Sequence, residues 1–79
     1  MVKSQLVPAR NDARRMLTTQ ETQVMELVLE GKRDKEISRL LMISAASITN
    51  AVERARKKMN ARTRSQAAVA FDRMRAAWP

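Results

Sequence analysis

Apolar residues recur at helical spacing in four stretches of the chain, and short polar turns separate these stretches. In the first stretch, Thr18 and Glu21 have the spacing of a capping box, which marks the start of a helix. Gly31 fits the position just after a helix end, where a left-handed backbone is needed. The first helix is therefore predicted to begin near Thr18 and to end just before Gly31, with its apolar face formed by Val24, Leu27 and Val28.

The next stretch predicts a short helix from about Asp34 to Leu41, with an apolar set of Ile37, Leu40 and Leu41. Asp34 either caps this helix or lies in its first turn, where a carboxylate complements the helix dipole. A short turn follows over residues 42–44, and Ser44 is a good N-cap for another helix. Two short helices joined by a tight turn form the helix-turn-helix pattern.

The third helix is predicted over residues 45–59, because its apolar residues recur at intervals of four, three and four: Ile48, Val52, Ala55 and Met59. The opposite face is predicted to meet solvent or a partner. It carries Ala46, Asn50, Glu53 and Lys57, flanked by Thr49 and Arg54. Beyond Glu53 the charge becomes one-sided, since six basic residues follow with no acid between them: Arg54, Arg56, Lys57, Lys58, Arg62 and Arg64.

The fourth helix is predicted to start near Thr63, which repeats the capping-box spacing with Gln66. Its apolar stripe is wider than one small core requires. We expect this stripe to pair with a second copy of the chain, and the alternative is ordinary core packing. The predicted dimerisation residues are Ala67, Ala70, Phe71, Met74 and Trp78.

Composition supports an all-α fold, since the chain has 79 residues, 44% of them hydrophobic and 30% charged, with one glycine and two prolines. We expect residues 17–79 to form a four-helix domain and residues 1–16 to form a flexible basic arm, in which Pro8 interrupts any helix. The arm carries Lys3, Arg10, Arg14 and Arg15 against Asp12. It either contacts DNA or is a solvated tail.

Charge and missing residue types narrow the function. A formal net charge of +8 favours a polyanionic partner such as nucleic acid. The chain has no cysteine, no histidine and a single glycine, so it lacks a thiol, the commonest metal ligand and a glycine-rich phosphate loop. We therefore expect no enzymatic activity, cofactor, metal or small-molecule ligand. We also expect a cytoplasmic location without membrane association, because no apolar run approaches the roughly 20 residues of a membrane span.

Many ordered positions match one family: Leu17-Thr18, Glu21, Val24, Leu27, Gly31, Lys35-Glu36-Ile37, Leu40, Ile43-Ser44, Val52, Lys58, Arg62, Arg64 and Gln66-Ala67. The chain from Leu17 to about Ala70 resembles the LuxR/FixJ/GerE-type helix-turn-helix domain. The resemblance implies four helices, with the third in the major groove of DNA and the fourth in a dimer. Members usually carry a separate sensory domain, and we expect none here.

By position, the resemblance places base-reading residues at Thr49, Asn50 and Glu53, and contacts to the DNA backbone near Lys35, Ser47, Lys57 and Arg64. The charge run suggests further phosphate attraction from Arg54, Arg56, Lys58 and Arg62. The sequence departs from the family pattern at four positions. The family commonly has a basic residue where Thr49 stands, a histidine at Ala51, an asparagine at Asp34 and a hydroxyl cap at Arg33.

Two functions are compatible with these observations. The first is a sequence-specific, double-stranded DNA-binding transcription regulator that acts as a homodimer. The alternative is a protein-binding module on the same fold, which sequesters another transcription regulator or docks on a transcription component such as RNA polymerase. Glu53 has two interpretations as well. It accepts a hydrogen bond from a cytosine amine, or it pairs with Lys57 four residues later and carries no specificity.

Overall fold

The computed structural model describes residues 16–77, and within this range the chain forms four α-helices and no β-strand. They are α1 (Thr19–Leu29), α2 (Asp34–Leu41), α3 (Ala45–Lys58) and α4 (Arg64–Ala76). The all-α, four-helix prediction is confirmed, and α3 ends one residue before the predicted boundary. The predicted basic arm, apart from Met16, and the predicted dimerisation residue Trp78 lie outside the described residues.

Helix α1 begins and ends as its sequence predicts. The Thr18 hydroxyl accepts a hydrogen bond from the Glu21 amide at 3.1 Å, and the Glu21 carboxylate accepts one from the Thr18 amide at 3.0 Å, which completes the capping box. At the other end, Gly31 has a φ of +87°. The amides of Gly31 and Lys32 donate to the carbonyls of Val28 and Leu27, so the last carbonyls of the helix are satisfied.

The turn between α2 and α3 contains a left-handed residue that is not glycine. Met42 has a φ of +57°, and its side chain extends into solvent with 89% exposure. The amide of Ile43 donates to the Ser38 carbonyl at 3.2 Å, and the Ser38 hydroxyl donates to the Ile43 carbonyl. The Ser44 hydroxyl accepts from the Ser47 amide at 3.1 Å, so Ser44 is the N-cap of α3 as predicted.

The connection between α3 and α4 combines a left-handed residue with two hydrogen bonds to side chains at the start of α4. Asn60 is left-handed, with a φ of +58°, a conformation that asparagine tolerates better than most residues. The Thr63 hydroxyl caps α4 by accepting from the Gln66 amide. The Gln66 side chain does not return to Thr63, as a capping box would require, but accepts from the Arg62 amide at 2.9 Å. This bond holds the backbone of Arg62 in place two residues before α4 begins.

Helix α3 lies at the centre of the domain and packs against the other three helices. The buried core is Leu17, Val24, Met25, Ile37, Ile48, Ala51, Val52, Ala55, Ala61, Ala67 and Phe71. The predicted apolar stripe of α3 is thus buried, apart from the partly exposed Met59. In α2, Leu40 departs from the predicted apolar set that it forms with Ile37 and Leu41, because it is 58% exposed.

Replacing Met42 with glycine should stabilise the domain. A residue with a β-carbon loses about 1 kcal/mol or more in the left-handed region, and the exposed Met42 side chain makes little compensating contact. We expect Met42→Gly to raise the free energy of unfolding by about 1 kcal/mol in urea denaturation. Met42→Ala is the matched control, since it removes the same side chain but keeps the β-carbon. Equal unfolding midpoints for the two variants would contradict the prediction.

Candidate nucleic-acid interface

The polar face of α3 is open to solvent along its length. Because Ile48, Val52 and Ala55 face the core, the residues opposite them must point outward. The exposed residues are Ala46, Thr49, Asn50, Glu53 and Lys57, as the periodicity predicts. Ser47 is half-buried at the start of the helix, where the Ser44 hydroxyl donates to its hydroxyl at 3.0 Å. The helix therefore presents an amide, hydroxyls, a carboxylate and an amine on one surface.

Glu53 is held in place on this surface by Arg56. The Arg56 Nε donates to Glu53 Oε1 at 2.7 Å, whereas Lys57 forms no ion pair with this carboxylate. The hydrogen bond from Arg56 lowers the pKa of Glu53, so the carboxylate is ionised at neutral pH. Arg56 also donates to the Ala61 carbonyl at 2.9 Å. The intrahelical pair is thus with Arg56 at three residues, and not with Lys57 at four.

A groove brings several predicted site residues together. It runs between the exposed face of α3 and the start of α4, and it is lined by Thr49, Val52, Glu53, Arg56, Arg62, Thr63 and Arg64. Lys57 and Arg62 line a second shallow depression beside it. Within residues 16–77, the Arg62 side chain forms no salt bridge. The groove therefore places Arg62, whose side chain has no salt bridge among the described residues, beside the polar face of α3.

The first turns of α2 and α4 meet through one ion pair. The Arg64 guanidinium donates to the Asp34 carboxylate at 2.6 Å. Within residues 16–77, no side chain caps the first-turn amides of α2. Asp34 is the first residue of the helix and not its N-cap, and Glu36 accepts only from the Arg33 amide that precedes the helix. Lys35 is exposed in the same turn. Uncapped amides and a lysine at a helix start are suited to an anion.

Two of the predicted phosphate ligands lie instead on the side of α3 that faces α1. The Arg54 Nε donates to Glu21 Oε2 at 2.9 Å, and the Lys58 amine donates to Glu21 Oε1 at 2.8 Å. The Glu21 side chain is fully buried, whereas the side chains of Arg54 and Lys58 are 50% and 35% exposed. These cations neutralise a buried carboxylate and attach α3 to α1.

The environment of Glu21 keeps it ionised. Burial alone raises the pKa of a carboxyl group, because the charged form loses its hydration. Hydrogen bonds from Lys58, the Thr18 amide and Arg54 outweigh this effect and hold the pKa of Glu21 below its ordinary value. One carboxylate thus completes the cap of α1 and holds two residues of α3.

Comparison with known proteins identifies the family. The family model described as "Bacterial regulatory proteins, luxR family" matches residues 15–71, which is well over half of the chain. The chain belongs to this family. The spore germination protein GerE of Bacillus subtilis (strain 168) is 39% identical over 59 residues, which cover 75% of this chain and 80% of that protein. No solved structure gives a significant match.

Membership of the luxR family confirms the resemblance seen in the sequence and makes the chain a member of a DNA-binding regulator family. The matched range begins before α1 and ends at Phe71 in α4, so it spans the entire helix-turn-helix. No helix among the described residues is long and apolar enough to cross a membrane. Nor do the described residues contain a cluster of acidic, histidine or cysteine side chains able to hold a metal.

The residues predicted for dimerisation do not share one environment. Ala67 and Phe71 are fully buried in the core of a single chain, and Met74 packs at its edge. Ala70 is half-buried and lines an apolar groove on the outer side of α4 with Ser65, Gln66, Val69 and Arg73. Val69 is 52% exposed and was not among the predicted residues. The outer surface of α4 is therefore formed by Val69 and Ala70, and not by Phe71.

Sequence reasoning missed two contacts made between distant positions. Glu21 was assigned only to the cap of α1, although it also binds residues 33 and 37 positions later. Asp34 was assigned to the dipole of α2, although it also pairs with Arg64. Local spacing carries no signal for either contact. An acid at the start of a helix with no base on its own helix was the one available hint for Glu21.

Removing the Glu21 charge should lower stability and change its dependence on pH. A carboxyl whose pKa is lowered by folding stabilises the native state above its ordinary pKa of about 4.5, and this contribution is lost as the pH falls through the lower folded value. We expect Glu21→Gln to cost about 2 kcal/mol at pH 7, below the usual range for a broken buried pair because both cations can reach water.

The measurement is urea denaturation of both proteins from pH 7 to pH 3. The wild type should lose stability below about pH 4.5 more steeply than Glu21→Gln, so that the two curves converge. Glu53→Gln is the matched control, because it removes an arginine-paired carboxylate that is exposed. If Glu53→Gln lowered the free energy of unfolding as much as Glu21→Gln does, the prediction that burial makes the Glu21 ion pairs more important would be contradicted.

Proposed function

We propose that the protein is a sequence-specific regulator that binds double-stranded DNA with α3 in the major groove. The observation that carries this proposal is the exposed polar face of α3, which adjoins Arg62 and Arg64 around the start of α4. An α-helix fits the width of the major groove, and an exposed row of hydrogen-bonding side chains can meet the base edges there. Family membership supports the DNA partner.

Three side chains supply chemistry for base reading. Asn50 can donate to and accept from adenine, Glu53 can accept from the amine of cytosine, and Thr49 can offer a hydroxyl or its methyl group. Arg56 fixes the orientation of Glu53, so this carboxylate loses little side-chain freedom on binding. Both oxygens of a carboxylate can accept more than one hydrogen bond, which leaves acceptor capacity for a base.

Phosphate contacts are assigned to cations without an internal ion pair. Lys35, Lys57 and Arg62 form no salt bridge within the described part of the chain. Lys57 interacts with Glu53 only through a longer-range electrostatic attraction. Ser47 retains a hydroxyl proton for a phosphate, because its oxygen accepts from Ser44. Arg54 and Lys58 act mainly by orienting α3 against α1.

The same proposal includes a homodimer formed through the outer surface of α4. The groove lined by Val69 and Ala70 is mostly apolar and lies beside Arg73. A two-fold pair of domains would present two copies of α3 to successive turns of the major groove, at about 34 Å spacing. Trp78 lies outside the described residues, and its part in the dimer remains a prediction.

Selection of DNA from sheared genomic fragments is the direct test of this function. Purified protein is mixed with the fragments at physiological salt, and the bound DNA is sequenced. We expect a few fragments to be enriched and to share a site with two-fold symmetry. Binding that shows no preference among fragments and vanishes as salt rises would reflect phosphate attraction alone and would overturn the proposal. A module that binds another regulator would then be the better explanation.

Single substitutions on α3 should distinguish sequence-specific contacts with bases from nonspecific attraction to phosphates. Asn50→Ala should lower affinity for the selected site by a factor that corresponds to about 1–3 kcal/mol, with little change on unrelated DNA. Lys57→Ala should weaken binding to all duplexes and reduce the salt slope by about one for each bound chain. Arg75→Ala is the control, because it removes one charge near the acidic end of α1, and its salt slope should match that of the wild type. Equal loss of slope in Arg75→Ala would contradict the assignment.

A charge placed in the α4 groove should dissociate the dimer. Val69→Asp buries a carboxylate between two chains, so the sedimentation coefficient should fall to that of a monomer while the helical spectrum is retained. Ala76→Asp introduces the same charge at an exposed position outside the groove and should remain dimeric. Dimers in both variants would place the contact elsewhere.

A further inference from the structure

The ion pair between Arg64 and Asp34 joins the start of α4 to the start of α2. Arg64 is the first residue of α4 and lines the groove beside α3, and Asp34 is the first residue of α2. The guanidinium and the carboxylate are 2.6 Å apart. We propose that Asp34 is an internal competitor for phosphate: its carboxylate occupies the guanidinium that would otherwise bind the DNA backbone, and it thereby limits affinity for DNA of every sequence.

The exposure of the pair indicates that the fold does not require it. The side chains of Arg64 and Asp34 are 41% and 35% exposed. Ion pairs with this access to water contribute little to stability, because solvent screens the attraction. A phosphate group, by contrast, can accept two parallel hydrogen bonds from a guanidinium, which is among the stronger polar contacts in proteins. The geometry therefore permits Arg64 to exchange Asp34 for phosphate.

The position of Asp34 strengthens the effect. Its carboxylate stands in the first turn of α2, beside uncapped amides that are suited to an anion and beside the exposed Lys35. While Asp34 holds Arg64, its carboxylate cancels a positive charge where a phosphate would approach. The bond to Arg64 therefore removes one available cation from the surface.

The expected consequence concerns affinity and not sequence preference. Contacts with phosphate carry no direct sequence information, so releasing Arg64 should strengthen binding to all duplexes by the same factor. One additional phosphate contact makes the salt slope steeper by about 0.9 and raises affinity about five-fold at physiological salt, and a bound dimer gains two such contacts. Asp34 would thus keep the protein from accumulating on DNA without a site. This inference rests on the proposed function.

The test compares Asp34→Asn with Glu36→Gln in the full chain. Both substitutions remove one negative charge from the first turn of α2, but Glu36 does not contact Arg64 and its glutamine can still accept from the Arg33 amide. Binding to a short labelled duplex of arbitrary sequence is followed by fluorescence anisotropy between about 50 and 200 mM salt. Circular dichroism first verifies that both variants keep the wild-type helical spectrum.

We expect Asp34→Asn to bind about five-fold more tightly than the wild type for each bound chain at physiological salt and with a steeper slope, and Glu36→Gln to bind nearly as the wild type does. In an Arg64→Ala background, the gain from Asp34→Asn should fall to that of Glu36→Gln. Equal gains from Asp34→Asn and Glu36→Gln, or a gain that persists without Arg64, would overturn the inference while leaving DNA binding intact. A wild-type chain that binds no duplex even at low salt would overturn the proposed function, and this inference with it.

Discussion

The buried carboxylate of Glu21 is the constraint on which the placement of α3 depends. A fully buried charge is unfavourable unless each of its oxygens has a partner, and the partners here are the Thr18 amide, Arg54 and Lys58. The latter two side chains stand one turn apart on α3. Satisfying Glu21 therefore fixes both the rotation of α3 and its distance from α1, in a way that apolar contacts alone would not.

The basic residues of α3 and the following loop fall into three groups. Arg54 and Lys58 turn toward Glu21, whereas Lys57 and Arg62 remain free of salt bridges within the described residues. Arg56 forms a third arrangement, since it holds Glu53 and closes the turn after α3 through the Ala61 carbonyl. A run of positive charge in a sequence is thus not a uniform surface, because some of its side chains are paired with acids of the same chain.

The acidic residues Glu53 and Asp34 are also paired with basic residues of the same chain. Glu53 and Asp34 could have indicated a surface that rejects DNA, yet each one is paired with an arginine of this chain. Their charges are therefore compensated locally, and the attraction from the remaining cations is retained. The two pairs differ in what they do, because Arg56 orients Glu53, whereas Asp34 competes for Arg64.

The sequence by itself determined the helices, the N-caps of α1, α3 and α4, and the family. Capping residues, the glycine after α1 and apolar spacing act over a few residues, so they can be identified without knowing how the chain folds. Only the tertiary structure decided which polar residues meet. Glu21 and Lys58, or Asp34 and Arg64, are separated by 30 or more positions, and their contact depends on how the helices pack. For the same reason the core status of Phe71 and the exposure of Leu40 followed from packing, because periodicity identifies an apolar face but not how much of it a small domain can cover.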